Sequence, residues 1–199
     1  LIVLEQILPG RAPFKSNDLA ENLVDKLTAP MLRKLEDMEN AKLTAATLKE
    51  SPWSDFYWPI FQGILGARYA DPQSPNNSQN WKERRQYTEK RPLLNVVRDA
   101  KQAEIDLLSP SEKYDLLIGQ MGAPLTEQMW SQGKSYFDRD GSVETWMGIC
   151  HGWSPASFML SRPTKIITLP SADKRFNIRF FPADLKALGS LLWAAVRTP

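Results

Sequence analysis

The chain is poor in the residues that build redox and metal chemistry: one cysteine, Cys150, and one histidine, His151, in 199 residues. A single cysteine excludes an intrachain disulfide and any cysteine-rich zinc site. With one imidazole as well, a tetrahedral zinc centre would have to be built mainly from carboxylates, which structural zinc sites rarely use. No apolar run reaches the roughly 20 residues needed to cross a bilayer as a helix. Charge of one sign is also lacking, because 25 Lys and Arg stand against 23 Asp and Glu. The basic cluster Lys82, Arg84, Arg85, Lys90 and Arg91 is interrupted by Glu83 and Glu89 and closed by Pro92, unlike the dense basic face of a nucleic-acid binder. Neither a nucleic-acid partner nor a membrane span is expected. The start Leu1-Ile2-Val3-Leu4 lacks a basic lead-in and is too short for a signal core, so it reads as a processed or trimmed end.

What is present suits a globular chain, with 42% hydrophobic and 24% charged residues. Ser16 caps a run with Leu19, Leu23, Val24 and Leu27 at helical spacing. A second helix is expected through Met31, Leu32, Leu35 and Met38, and a third near Leu43 to Leu48. Residues 1–50 therefore form a helical N-terminal segment, which would suit a pro-segment. Trp53, Phe56, Tyr57, Trp58, Phe61 and Tyr69 then crowd one stretch as a core or a wall. The run DPQSPNNSQN at 71–80 has the composition of an exposed linker. Helices are expected over Leu94 to Leu108, after the cap Ser109-Pro110, and from Thr126 through Met129 and Trp130. Beyond Cys150, residues 165–169 and 175–181 are short β-rich runs around a turn, and Pro182-Ala183-Asp184 opens a last helix. The fold class is α+β, predominantly helical, with a short antiparallel hairpin after Cys150.

Cys150 and His151 stand side by side in GICHGWSPAS. Neighbours in a helix project about 100° apart and in a strand to opposite faces, so this adjacency does not make His151 the base of a Cys–His pair. Gly148, Gly152 and the flanking Trp146 and Trp153 surround the thiol, and Ser154-Pro155-Ala156 reads as a cap and a helix start. A thiol near a helix N-terminus is favoured as thiolate, and the free amides there can receive an oxyanion. The two glycines would let a substrate backbone approach. The residues alone leave two readings: a nucleophile, or a small buried apolar side chain.

GICHGWSPAS, preceded by Trp146, resembles the active-site segment of the elicitor-type transglutaminases of oomycetes and their bacterial relatives, in which a Cys-His-[Gly/Ala]-Trp-x-Pro-Ala run carries the nucleophile. Three further stretches are similar to that family: Ser51-Pro52-Trp53-Ser54 with Tyr57-Trp58-Pro59 and Ala67-Arg68-Tyr69, then Leu108 through Asp115, then Phe181 through Leu188. The likeness spans about residues 45 to 199. It implies that Cys150 is the acyl-accepting nucleophile of a protein-glutamine γ-glutamyltransferase. It also implies a Cys-His-Asp triad of papain-like logic whose His and Asp lie C-terminal of the cysteine. No further His follows, so residues 51–199 read as the N-terminal part of a catalytic domain, completed by a C-terminal fragment of the same precursor. Protein substrates bearing Gln and Lys would be the other partners.

Trp146, Gly148, His151, Trp153 and Trp58 would then surround the substrate, while Glu144 takes the place where papain-like enzymes put an oxyanion-binding Gln. The family also implies calcium and no organic cofactor. Asp138 and Asp140 offer oxygen ligands beside a turn, yet Tyr136 and Met147 occupy the first and last positions of an EF-hand spacing. The pair reads better as a plain acidic turn than as a metal site. Two rivals share the residues: a cysteine protease with the same triad, and a non-enzymatic Trp-rich binding or regulatory fragment.

Overall fold

The computed structural model describes residues 31–195, which fall into two compact units, 31–51 and 52–195. The helix expected from Ser16 lies outside the described residues. In the first unit α1 spans Leu35–Asn40, shorter than expected because Lys34 is still extended. It ends where Lys42 turns left-handed and Leu43 donates its N–H back to the Met38 carbonyl at 2.9 Å. The helix expected near Leu43 to Leu48 does not form. Those residues are exposed, and a segment this short cannot offset helix nucleation without a partner to pack on.

The second unit begins with an extended strap, residues 52–59, and two 3₁₀ turns, Ile60–Gln62 and Ile64–Gly66. Five helices follow: α2 Trp81–Lys90, α3 Leu93–Arg98, α4 Gln102–Asp106, α5 Pro110–Leu117 and α6 Pro124–Asp140. Next come α7 Cys150–Met159, strands β1 Ile167–Pro170 and β2 Asn177–Phe180, and α8 Pro182–Ala195. The expected single helix over 94–108 is two, because Lys101 is extended and donates its N–H to Glu104 Oε2 at 2.8 Å, starting α4 afresh. Residues 71–80 are turns rather than a free linker. Buried Asp71 accepts the Tyr87 hydroxyl at 2.6 Å, and buried Arg84 donates to the Ser78 and Asn76 carbonyls.

The Ser109-Pro110 start holds as read, with Ser109 and Glu112 capping each other's amides and Pro110 in the first turn. Asp115 of α5 then caps α6 by accepting from the Leu125 and Thr126 amides and the Thr126 hydroxyl. This starts α6 two residues before Thr126. Burial pushes the Asp115 carboxyl above its ordinary range, against the opposing pull of those bonds. Trp130 of α6 lies flat on the glycines of the 3₁₀ turns: a Cβ at Gly63 or Gly66 would sit 2.6 Å from its indole. Gly133 receives Trp81 in the same way.

The hairpin is antiparallel, with Ile167 opposite Phe180 and Leu169 opposite Ile178. Ile178 and Phe180 point into a core shared with Leu93, Val97, Ile105, Leu108 and Leu116, whereas every residue of β1 is exposed. Two buried ion pairs tie α5 to its surroundings. Arg68 forks onto Glu112 at 2.9 and 2.6 Å, and Lys113 meets Asp184 of α8 at 2.6 Å. Asp184 also accepts the Phe181 amide at the start of α8. The LSPSEKYD and FPADLKAL motifs therefore meet in one polar core. The molecule is α+β and predominantly helical.

Candidate active site

The strap and the segment ahead of Cys150 form a short antiparallel bridge, Pro59 opposite Gly148. Ile149 donates its N–H to the Tyr57 carbonyl at 3.1 Å, and Ile60 donates to the Met147 carbonyl at 2.9 Å. The Tyr57 hydroxyl reaches the Thr145 carbonyl at 2.8 Å, so one residue grips the segment at both ends. Only glycine fits at 148, where a Cβ would lie 2.3 Å from the Tyr57 carbonyl oxygen. The bridge stops at Ile149, which is buried, and the helix starts on the next residue.

Cys150 is therefore the first residue of α7, and Ser154-Pro155 lie inside that helix rather than at its start. Pro155 is past the first turn, so the helix gives up the bond its amide would have donated to the His151 carbonyl. Ile149 has no capping side chain, and its carbonyl accepts the Gly152 and Trp153 amides at 2.9 and 3.0 Å. Among the described residues the Cys150 and His151 amides have no hydrogen-bond acceptor. The thiol itself is exposed. An exposed sulfur beside two open amides at the positive end of a ten-residue helix can attack an electrophilic carbonyl and hold the resulting oxyanion. The reading of Cys150 as a small buried side chain does not fit this exposure.

His151, also exposed, follows on the helix about 100° round from the thiol. Trp146 is 74% exposed on the loop before the helix, and Glu144 is exposed there too. Trp153 is half-buried and donates its indole N–H to the Trp53 carbonyl at 3.3 Å, while Trp53 donates to the Leu160 carbonyl at 3.0 Å. Trp58 is core, 4% exposed, with Tyr69 and Phe56 edge-on at 5.1 and 5.7 Å. The structure thus separates the expected aromatic wall: Trp146 faces solvent, Trp153 lies on the strap, and Trp53 and Trp58 are buried. The glycines are occupied by the protein itself. At Gly152 a Cβ would meet the Ser190 carbonyl oxygen of α8 at 2.2 Å, so this glycine lets two helices touch.

Sequence reasoning missed Asp55 and Tyr57. Asp55 Oδ2 accepts the Trp58 indole N–H at 3.1 Å, and burial raises its carboxyl above the ordinary range against the Phe56 amide, that indole and Lys186. Lys186 donates to the Ser54 carbonyl at 2.6 Å and stands over the Trp53 ring. Trp58 has φ +49, a left-handed conformation that costs a non-glycine residue about 1–3 kcal/mol unless its surroundings hold it. The crowded aromatic run and the family-like Tyr57-Trp58-Pro59 marked this stretch in the sequence, but neither pointed to Asp55 or to the grip of Tyr57.

Asp138 and Asp140 do not fit a calcium ion. Both are exposed, Asp138 pairs with Lys134, and Asp140 pairs with Arg139 at 2.7 Å. Arg139 holds the Asp140 carboxyl below its ordinary range. Among the described residues no three His, Cys, Asp or Glu side chains converge as metal ligands, and no helix is long and apolar enough to cross a membrane.

No curated protein and no solved structure matches the chain. The chain does match a family model, that of the transglutaminase elicitors, over residues 23–198. The chain belongs to the transglutaminase elicitor family.

Proposed function

We propose that this chain carries the nucleophile of a secreted protein-glutamine γ-glutamyltransferase. The observation that carries the reading is the exposed Cys150 thiol at the first position of α7, beside two open amides. The thiolate attacks the γ-carboxamide carbon of a protein-bound glutamine, and the oxyanion is received by the Cys150 and His151 amides. The C–N bond then breaks, ammonia leaves, and a thioester remains on Cys150. A lysine amine attacks that thioester, an isopeptide forms, and the thiolate is released. A cysteine needs an imidazole from elsewhere in the fold to manage these protons. The chain has one His, adjacent on the same helix, so on this reading the base comes from outside these 199 residues, and the family likeness implies that its Asp partner lies with it on a C-terminal fragment of the same precursor.

The test is incorporation of a fluorescent primary amine into a glutamine peptide by the protein in complex with that fragment. Incorporation that Cys150→Ala abolishes supports the reading. Cleavage of the peptide without amine transfer would make the protein a protease, and neither reaction would make it a binding protein. Running the assay with calcium and with a chelator reads the metal dependence that the family likeness implies.

A further inference from the structure

The start of α7 depends on a carbonyl that belongs to the strap, since the Ile149 amide bonds to Tyr57 and the helix begins one residue later. The direction of the Tyr57 carbonyl is in turn set by the next residue, Trp58, whose left-handed backbone kinks the strap between its hydrogen bonds to Ile149 and Met147. A tryptophan does not adopt that conformation for its own sake. Two things hold it: burial of the ring against Tyr69 and Phe56, and the indole N–H bond to Asp55. Asp55 is half-buried, and the charged group that acts on it is Lys186 of α8, itself fixed on the Ser54 carbonyl.

We infer that Asp55 is a positioning residue for Cys150, acting through the Trp58 indole and the Tyr57 carbonyl. The inference rests on Cys150 being the nucleophile. Loss of the indole bond lets Trp58 relax, turns the Tyr57 carbonyl away and frees the Ile149 amide. The first turn of α7 then frays, and the thiolate loses the aligned amides beside it.

The test is the rate of Cys150 alkylation by iodoacetamide across pH, measured on the folded chain with circular dichroism as the check on folding. Asp55→Ala and Trp58→Phe are each expected to slow alkylation at neutral pH about two- to fivefold, the scale of a helix-terminus charge interaction. Both move the midpoint of the rate profile to higher pH. Asp55→Asn, which keeps an oxygen acceptor for the indole, stays with the parent. Profiles of Asp55→Ala and Trp58→Phe that superimpose on the parent's overturn the inference, and so does an Asp55→Asn profile shifted as far as that of Asp55→Ala. If Asp55→Ala does not fold, Trp58→Phe decides, because it removes the indole donor and keeps an aromatic ring in the pocket, and its circular dichroism and denaturant midpoint show whether the lost pyrrole volume has loosened the fold. Amine transfer plays no part in this readout. A shifted profile on a protein without transferase activity removes the function and leaves the positioning role, and an active protein with unshifted profiles does the reverse.

Discussion

Glycine 152 shows how much of the site is decided by one missing methyl group. Its place lies against the Ser190 carbonyl and the Ala194 amide of α8, backbone atoms that cannot swing aside. Gly152→Ala is expected to cost about 1–3 kcal/mol, read as a lower denaturant midpoint with unchanged slope. The buried fork of Arg68 on Glu112 predicts a larger loss. Both side chains are nearly inaccessible, so Arg68→Met strands a carboxylate and should destabilise by about 3–5 kcal/mol. Adding Glu112→Leu removes the stranded charge but also the bond that Glu112 accepts from the buried Ser109 amide, so the double variant is expected to recover only part of the loss; full recovery would show that the cap contributes little.

Between elements, polar ties set the order of packing, and the pair joining α4 to β2 gives a pH signature. Hydrogen bonding from Arg179 holds the Asp106 carboxyl below its ordinary value. A depressed carboxyl contributes stability that is present above its unfolded value, near 3.8, and is lost as pH falls through the lower folded value. The gap in thermal midpoint between the parent and Asp106→Asn should therefore be steady near neutrality and close below about pH 4. A gap that persists at the most acid pH would mean that the bond, not the charge, supplies the stability. At the neighbouring helix, Ser109→Ala removes one half of the cap of α5 and should cost about 1 kcal/mol by chemical denaturation.

Across the whole molecule, the hairpin is fastened on one face only. Ile178 and Phe180 of β2 are buried, while Ile167 and Leu169 of β1 are 46% and 38% exposed and one strand edge is unpaired. Ile167→Lys is expected to leave the unfolding free energy within about 0.5 kcal/mol of the parent's, as surface changes do, and to lower concentration-dependent light scattering. An unfolded or strongly destabilised variant would place Ile167 in a core that the structure does not give it.

The sequence by itself determined the elements whose signals are local. The Ser109-Pro110 cap, the α8 start at Pro182 and the hairpin could be read from it, because capping, proline geometry and two-residue alternation act within a few residues. It also determined that Cys150 is the only thiol and stands near a helix start. Tertiary structure alone decided where that helix starts, why Gly148 and Gly152 are glycines, and that Asp55, Tyr57 and Trp58 grip the segment ahead of the thiol. The decisive contacts join distant parts of the chain, Tyr57 with Thr145 and Gly148, and Gly152 with Ser190. No pattern of neighbours encodes such pairings, since they depend on which faces the folded chain brings together.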